Sequence, residues 1–341
     1  MLFTLSSVTK RFAGREILHE VSFQVDRGDI VSIVGPSGVG KTTLLKLIAG
    51  LEEPSRGTIY FERKPSLRRP VILVFQDFIL FPNLTVFENV AFGLRARRVE
   101  RREMQDRVRD MLGYFGIRDK ADSYPGTLSA GQQQRVAIAR AMVVGPAVLL
   151  LDEPFAHLDR NLRLETAAFI RSTQKEFGVT TVSVTHDLEE AFAMSDKIGV
   201  LLEGRLEQFD TVEKVYSHPR TYQVARFLGP VNVIPRELFP LLGLHTDPAG
   251  SGQVYARAEA MSIEKDPAAE GVVTDVCFVG VLILYRVVLR GREFSVYSLN
   301  NGISRGDRVR LRVSAHILSE GSRPAGFPVK EPVRELQRAI K

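Results

Sequence analysis

The chain has 341 residues, 44 % of them apolar and 25 % charged, which is the profile of a folded globular protein and excludes disorder over most of its length. No apolar run reaches the ~18 residues of a membrane-spanning helix, and the opening MLFTLSSVTKRF lacks the basic lead and apolar run of a secretory leader, so a cytosolic location is predicted. The net charge of +6 is modest, and the single cysteine, Cys277, permits no internal disulfide and fits that compartment.

Residues 1–27 alternate like strands, with turn signals at Gly14 and Gly28. Asp29 to Val34 is a short apolar strand that runs into GPSGVGKTT and then a helix. That helix is expected to carry Leu44, Leu45, Leu47, Ile48 and Leu51 on one side, with Gly50 near its end. Further strands are predicted at 71–75, 147–151, 180–185 and 198–202. Three of these are nearly continuous apolar runs, as in strands buried on both faces of a parallel sheet. Between 77 and 143 helical patterns replace them, which predicts an inserted helical subdomain. Its stretch Arg95–Arg109 holds seven arginines, interrupted by Glu100, Glu103 and Asp106. Val108, Met111, Leu112 and Phe115 follow at helical spacing, so the arginines read as the wet face of an amphipathic helix. No aromatic residues interleave them for base stacking, and no nucleic-acid partner is expected.

Beyond Gly229-Pro230 helical periodicity fades. Residues 271–279, 281–289, 293–299 and 308–313 read as short strands separated by Gly280, Gly291, Asn300-Asn301-Gly302 and Gly306-Asp307. A small β-barrel or sandwich is predicted there, with a charged, loose tail over the last dozen residues. The predicted fold is therefore an α/β domain over 1–228 with a helical insertion, followed by a small all-β domain over 229–341.

The segment Gly35-Pro36-Ser37-Gly38-Val39-Gly40-Lys41-Thr42 fits G-x-x-x-x-G-K-[ST], with a buried strand before it and a helix after it. Glycines let backbone N–H groups curl around phosphate oxygens, and the helix N-terminus faces the negative charge. Lys41 is placed to reach terminal phosphates, Thr42 to offer a hydroxyl to Mg²⁺, and Thr43 completes the first turn. A second site is the strand end Val148-Leu149-Leu150-Leu151-Asp152-Glu153-Pro154. Paired carboxylates at the end of an apolar strand are costly unless a cation or a proton balances them. Asp152 suits Mg²⁺, and Glu153 is placed to polarise an attacking water. Alone, a strand ending in two acids is often only a turn.

The segment Leu128-Ser129-Ala130-Gly131-Gln132-Gln133-Gln134-Arg135 resembles the signature loop of ATP-binding cassette proteins, and VAIARA follows it as in that family. Gln76 resembles the start of the Q-loop, His157-Leu158-Asp159 the D-loop, and His186 the switch histidine. Phe12 stands where the family has an aromatic that stacks on adenine. The resemblance runs from residue 2 to about 228 and implies a P-loop NTPase core that uses ATP and Mg²⁺. It implies catalytic roles for Glu153, His186 and Gln76, and Mg²⁺ held by Thr42, Gln76 and Asp152. It also implies a head-to-tail dimer, either a homodimer or a pair with a second cassette. Ser129, Ala130, Gly131 and Gln132 of one subunit would there close the other's ATP site. Ala130 stands where glycine is commoner, which is harmless if its backbone is not left-handed, and Phe12 replaces a more usual tyrosine.

Residues 271–315, with Val276, Gly280, Tyr285, Val287 and the Gly306-Asp307 turn, resemble the OB-like TOBE domain of ATPases that serve binding-protein-dependent importers. Phe78 to Phe92 resembles the family surface that receives the coupling helix of a membrane subunit, while the aromatics from Phe75 to Phe92 mostly read as packing. The implied partners are integral membrane permease subunits, with a periplasmic or extracellular binding protein reached only indirectly. The ATPase would then lie peripherally on the inner face of the membrane. The segment FQDFILFPNLTVFENVAFGL is most similar to the polyamine and ferric-iron branches, which puts polyamine import first and an inorganic ion (sulfate, molybdate or ferric iron) second, with sugar importers in the same group. The alternatives are a non-transport cassette of translation or DNA repair and a P-loop kinase. One cassette without heptads argues against the former, and LSAGQ against the latter.

Overall fold

The computed structural model describes residues 1–77, 79–156, 158, 160–244, 254–299, 302–315 and 317–318. Phe78, His157, Asp159, the Asn300-Asn301 turn and the charged tail lie outside the described residues. The chain divides into two compact units, Met1–Val212 and the remainder from Glu213.

The first unit runs β1 (Phe3–Phe12), β2 (Arg15–Val25), β3 (Ile30–Val34), α1 (Lys41–Ile48), β4 (Arg56–Phe61), β5 (Val71–Val74), α2 (Val86–Ala96), α3 (Arg101–Tyr114), α4 (Ala130–Met142), β6 (Val148–Asp152), α5 (Arg160–Phe177), β7 (Thr180–Thr185), α6 (Leu188–Met194), β8 (Lys197–Leu202) and β9 (Arg205–Thr211). The main sheet has the order β5-β6-β7-β3-β8-β9. Its first five strands are parallel and β9 closes the edge antiparallel to β8. Strands β3, β6 and β7 are buried along their whole length, as their apolar or small residues demand. A second, antiparallel sheet has the order β2-β1-β4. Between the two sheets lies a core that includes Phe3, Leu5, Leu18 and Leu44.

Two expectations need correction. Leu51 falls past the end of α1, where Gly50 turns the chain at φ 70°, and is 61 % exposed rather than on the apolar face. Strands β4 and β9 are absent from the sequence reading. Each sits at a sheet edge and is only partly buried, so neither carries the continuous apolar run of a central strand.

Between β5 and β6 the described residues form helices and turns without strands, and α2, α3 and α4 share one core. Helix α3 buries Met104, Val108, Met111 and Leu112 and turns most of its charged residues to solvent, as the amphipathic reading requires.

The second unit holds α7 (Val212–Ser217, starting at the boundary), α8 (Tyr222–Phe227), β10 (Val231–Ile234), β11 (Val254–Arg257), β12 (Met261–Lys265), β13 (Gly271–Phe278), β14 (Ile283–Leu289), β15 (Arg292–Ser298), β16 (Arg308–Val313) and β17 (Ile317–Leu318). Its two antiparallel sheets have the orders β10-β11-β17 and β12-β16-β13-β14-β15 around a core of Tyr285, Phe294 and Val296. Strands β12 and β15 are the ends of the five-stranded sheet and are not paired, so hydrogen bonds do not close the expected barrel among the described residues. Gly229-Pro230 marks a change of secondary structure, whereas the compact unit begins 16 residues before Gly229, at Glu213. Helices α7 and α8 pack with the β domain because the buried Arg257 donates to Tyr216 O at 2.7 Å and to Ala225 O at 3.3 Å.

Candidate functional site

The loop between β3 and α1 has its shape because only glycine fits at two of its turns. A Cβ at residue 35 would stand 2.2 Å from the carbonyl oxygen of Leu201. Gly40 is left-handed at φ 108°, and a Cβ there would meet Leu18 at 2.8 Å. The first N–H groups of α1, from Lys41, Thr42 and Thr43, have no partner within the helix, and no side chain caps them. They form a ready anion cradle.

Lys41 is buried and donates from Nζ to Gly35 O at 2.8 Å and Pro36 O at 3.1 Å. Thr42 donates from Oγ1 to Asp152 Oδ1 at 3.0 Å. Burial raises the Asp152 carboxyl above its ordinary range, the Thr42 hydrogen bond opposes that rise, and the charge of Glu153 adds to it. The next residue points elsewhere. Glu153 is left-handed at φ 48°, and its N–H is fixed to Val184 O of β7 at 2.9 Å. A non-glycine residue in that region costs about 1–2 kcal/mol. The turn sets Glu153 Oε1 3.6 Å from Lys41 Nζ and Oε2 2.6 Å from His186 Nδ1. A carboxylate only accepts, so the imidazole Nδ1–H donates. Ammonium, carboxylate and imidazole thus stand in a row at the mouth of the glycine loop.

A cavity of about 420 Å³ joins Lys41 and Glu153 to the loop, while His186 and Asp152 are not among its lining residues. Its lining includes Phe12, Ser37, Gly38, Lys41, Thr42, Thr43, Gln76 and Glu153, from four separate segments of the chain. Phe12, at the end of β1, is 43 % exposed, with the Lys10 ammonium 4.8 Å from its ring centre. Ile17 lines the same cavity and has no functional signal in the sequence, because it reads as one more apolar residue of β2.

Ser129, Ala130, Gly131 and Gln132 are not among the residues lining this cavity. They form the N-terminus of α4, where Ser129 Oγ accepts from Gln132 N at 3.4 Å and Gln132 Oε1 accepts from Ser129 N at 3.0 Å. Ala130 is the first helical residue and has no positive φ, which meets the condition set by its methyl group. Gln134 of the same helix is buried and donates to Pro154 O at 2.8 Å, tying α4 to the turn beyond Glu153. No signal in the sequence sets this glutamine apart from its neighbours.

Comparison with known proteins follows the same lines. Residues 18–156 match the family described as "ABC transporter", and residues 254–318 match the TOBE domain. The sulfate/thiosulfate import ATP-binding protein CysA of Gloeobacter violaceus is 36 % identical over 99 % of this chain and 99 % of its own length. The chain belongs to the ATP-binding cassette (ABC) transporter family. The spermidine/putrescine import ATP-binding protein PotA of Marinobacter nauticus is 44 % identical over 69 % of this chain and 64 % of its own length. Among solved structures, a bacterial ABC transporter cassette solved as a dimer superposes with a TM-score of 0.55 at 32 % identity, covering 62 % of this chain and 99 % of that one. As an ABC ATPase the chain binds ATP, with a TOBE domain appended. No helix among the described residues is long and apolar enough to cross a membrane.

Proposed function

We propose that this ABC ATPase hydrolyses Mg·ATP in a head-to-tail dimer and thereby drives an importer. The row Lys41–Glu153–His186 beside the glycine cradle carries the reading. The cradle and Lys41 hold the β- and γ-phosphates, and Phe12 offers a ring face to adenine. Glu153 orients the attacking water and takes its proton as the water oxygen bonds to the γ-phosphorus. The bond from that phosphorus to the β,γ-bridging oxygen breaks, and ADP leaves. His186 fixes the Glu153 carboxylate through the 2.6 Å hydrogen bond.

The oxygen donors Thr42 and Asp152, already 3.0 Å apart, fit Mg²⁺, with Gln76 lining the same cavity. Thr42 and Asp152 supply only part of an Mg²⁺ shell, and the nucleotide's own phosphates would supply further oxygen ligands. When bound, Mg²⁺ neutralises charge that develops on the phosphates.

Gly131 supports the shared site. It is helical without a positive φ, and a Cβ there would make only an ordinary contact, at 3.5 Å, with Leu162. Nothing among the described residues demands glycine at this helix position, where it costs stability. Close approach by the partner's nucleotide does demand it. The motor would lie beneath permease subunits at the inner face of the membrane, a reading supported by relatives named as import ATP-binding proteins. Cargo divides among polyamines, sulfate and ferric iron, whose named relatives are 44 %, 36 % and 46 % identical over 69 %, 99 % and 64 % of this chain.

Two assays test this. In the full-length protein Lys41→Ala should lower ATP turnover by about 100-fold or more, and near wild-type turnover would remove the phosphate site. With its permease subunits in vesicles, the complex should be stimulated by binding protein loaded with spermidine, with sulfate or with ferric iron. Stimulation by none of them would set these cargo readings aside.

A further inference from the structure

We infer that Arg163 is a positioning residue for ATP hydrolysis, one that sets the relative placement of Glu153 and His186 from outside the cavity. The inference rests on the site reading above. Two hydrogen-bond acceptors from two loops, and a carboxylate of α6 in ion-pair range, meet on one guanidinium. Arg163 Nη1 donates to Asp187 Oδ2 at 2.6 Å, Nη2 donates to Leu158 O at 3.1 Å, and Nε lies 3.3 Å from Glu190 Oε1. Leu158 belongs to the segment that leaves Glu153, and Asp187 directly follows His186. The other neighbour of His186 is tied to the same cluster. Thr185 Oγ1 donates to Glu190 Oε2 at 2.7 Å and accepts from Asp187 N at 3.0 Å. Asp187 Oδ1 in turn accepts from Glu190 N at 3.2 Å and caps α6. Both flanks of His186 and the exit from Glu153 are therefore held by one cluster, and the ring closes through the Glu153–His186 hydrogen bond.

A plain structural ion pair would need only the charge of Arg163 opposite buried Glu190. The observed arrangement uses the planar fork, which a point charge cannot reproduce. A small shift of either loop would lengthen the 2.6 Å bond that orients Glu153. Misplacement of about 1 Å from a residue remote from the chemistry lowers rates by about 100-fold.

The test is Arg163→Lys in the full-length protein with Mg·ATP, which keeps the charge and most of the stem. The expected result is a kcat about 10- to 100-fold lower. The Kd for a fluorescent ATP analogue should change by less than about threefold, and the Tm should stay within a few degrees. Arg163→Ala should lower kcat at least as far if it folds. Since it leaves Asp187 and Glu190 uncompensated, the lysine variant decides. A kcat within about twofold of wild type overturns the inference, and so does a parallel fall in binding, turnover and Tm, which marks a purely structural pair. A wild-type chain without turnover, or a His186→Ala variant as active as wild type, fails the site reading rather than the role of Arg163.

Discussion

Asp152 and Glu153 are adjacent in sequence and face different partners, because the backbone reverses between them. The sequence makes their pairing legible as two acids ending an apolar strand. The left-handed turn at Glu153 is not legible, since it depends on Val184 O, supplied by a strand some 30 residues away. Glu190 is a similar case. It reads as an ordinary helix carboxylate, yet it is 3 % exposed, and burial pushes its carboxyl up to about 7. Thr185 and Arg163 oppose that rise, while the charges of Asp187 and Glu153 add to it. A carboxyl raised in the fold favours folding below its unfolded value of 4.5 and loses that advantage as pH climbs to about 7. Glu190→Gln removes the ionisable group. The stability of the variant minus that of wild type should therefore rise between pH 5 and pH 8, by about 3 kcal/mol at most. Urea unfolding at the two pH values measures it. A difference that does not change with pH would mean that Glu190 titrates normally.

At the scale of elements, the central strands and the glycine loop were readable because their sequences are constrained on every side. Strands β3, β6 and β7 have no solvent face, so their apolar runs stand out. Edge strands β4 and β9 lack that constraint and gave no signal. The start of α4 was readable as a motif, but its geometry separates two demands. The Ser129–Gln132 capping box serves the helix itself. Gly131 meets no such demand among the described residues, so the two demands can be set against each other. Gly131→Ala should stabilise the monomer by about 0.5–1 kcal/mol through helix propensity. The same change should lower ATP turnover by about tenfold or more, because the new methyl meets the partner's nucleotide. Denaturant unfolding and an ATPase assay on one preparation read both. A variant that is more stable and fully active would take Gly131 out of the shared site.

The whole molecule is two units with different ways of reaching function. All of the proposed nucleotide-site residues lie before Val212, so a chain ending there should keep ATP binding. A cut after Ile234 would strand α7 and α8 without Arg257, the residue whose guanidinium holds Tyr216 O and Ala225 O. The 1–212 fragment should therefore be the better behaved of the two in size-exclusion chromatography, and ATP binding by neither would refute the division. The sequence located the shift at Gly229-Pro230 because periodicity changes there. It could not show that two short helices before it pack forward, which is a matter of contacts made by a residue about 30 positions further on.

The central claim, a dimer that shares ATP and opens on hydrolysis, is tested most directly with full-length Glu153→Gln by light scattering with and without Mg·ATP. Glutamine keeps the shape, removes the basicity and takes one negative charge from beside the γ-phosphate, while Lys41, Thr42 and Asp152 stay in place. The account predicts that this variant binds ATP, fails to hydrolyse it and doubles in mass only when ATP is present. A variant that turns over ATP normally, or one that binds ATP without hydrolysis and stays monomeric, would contradict it.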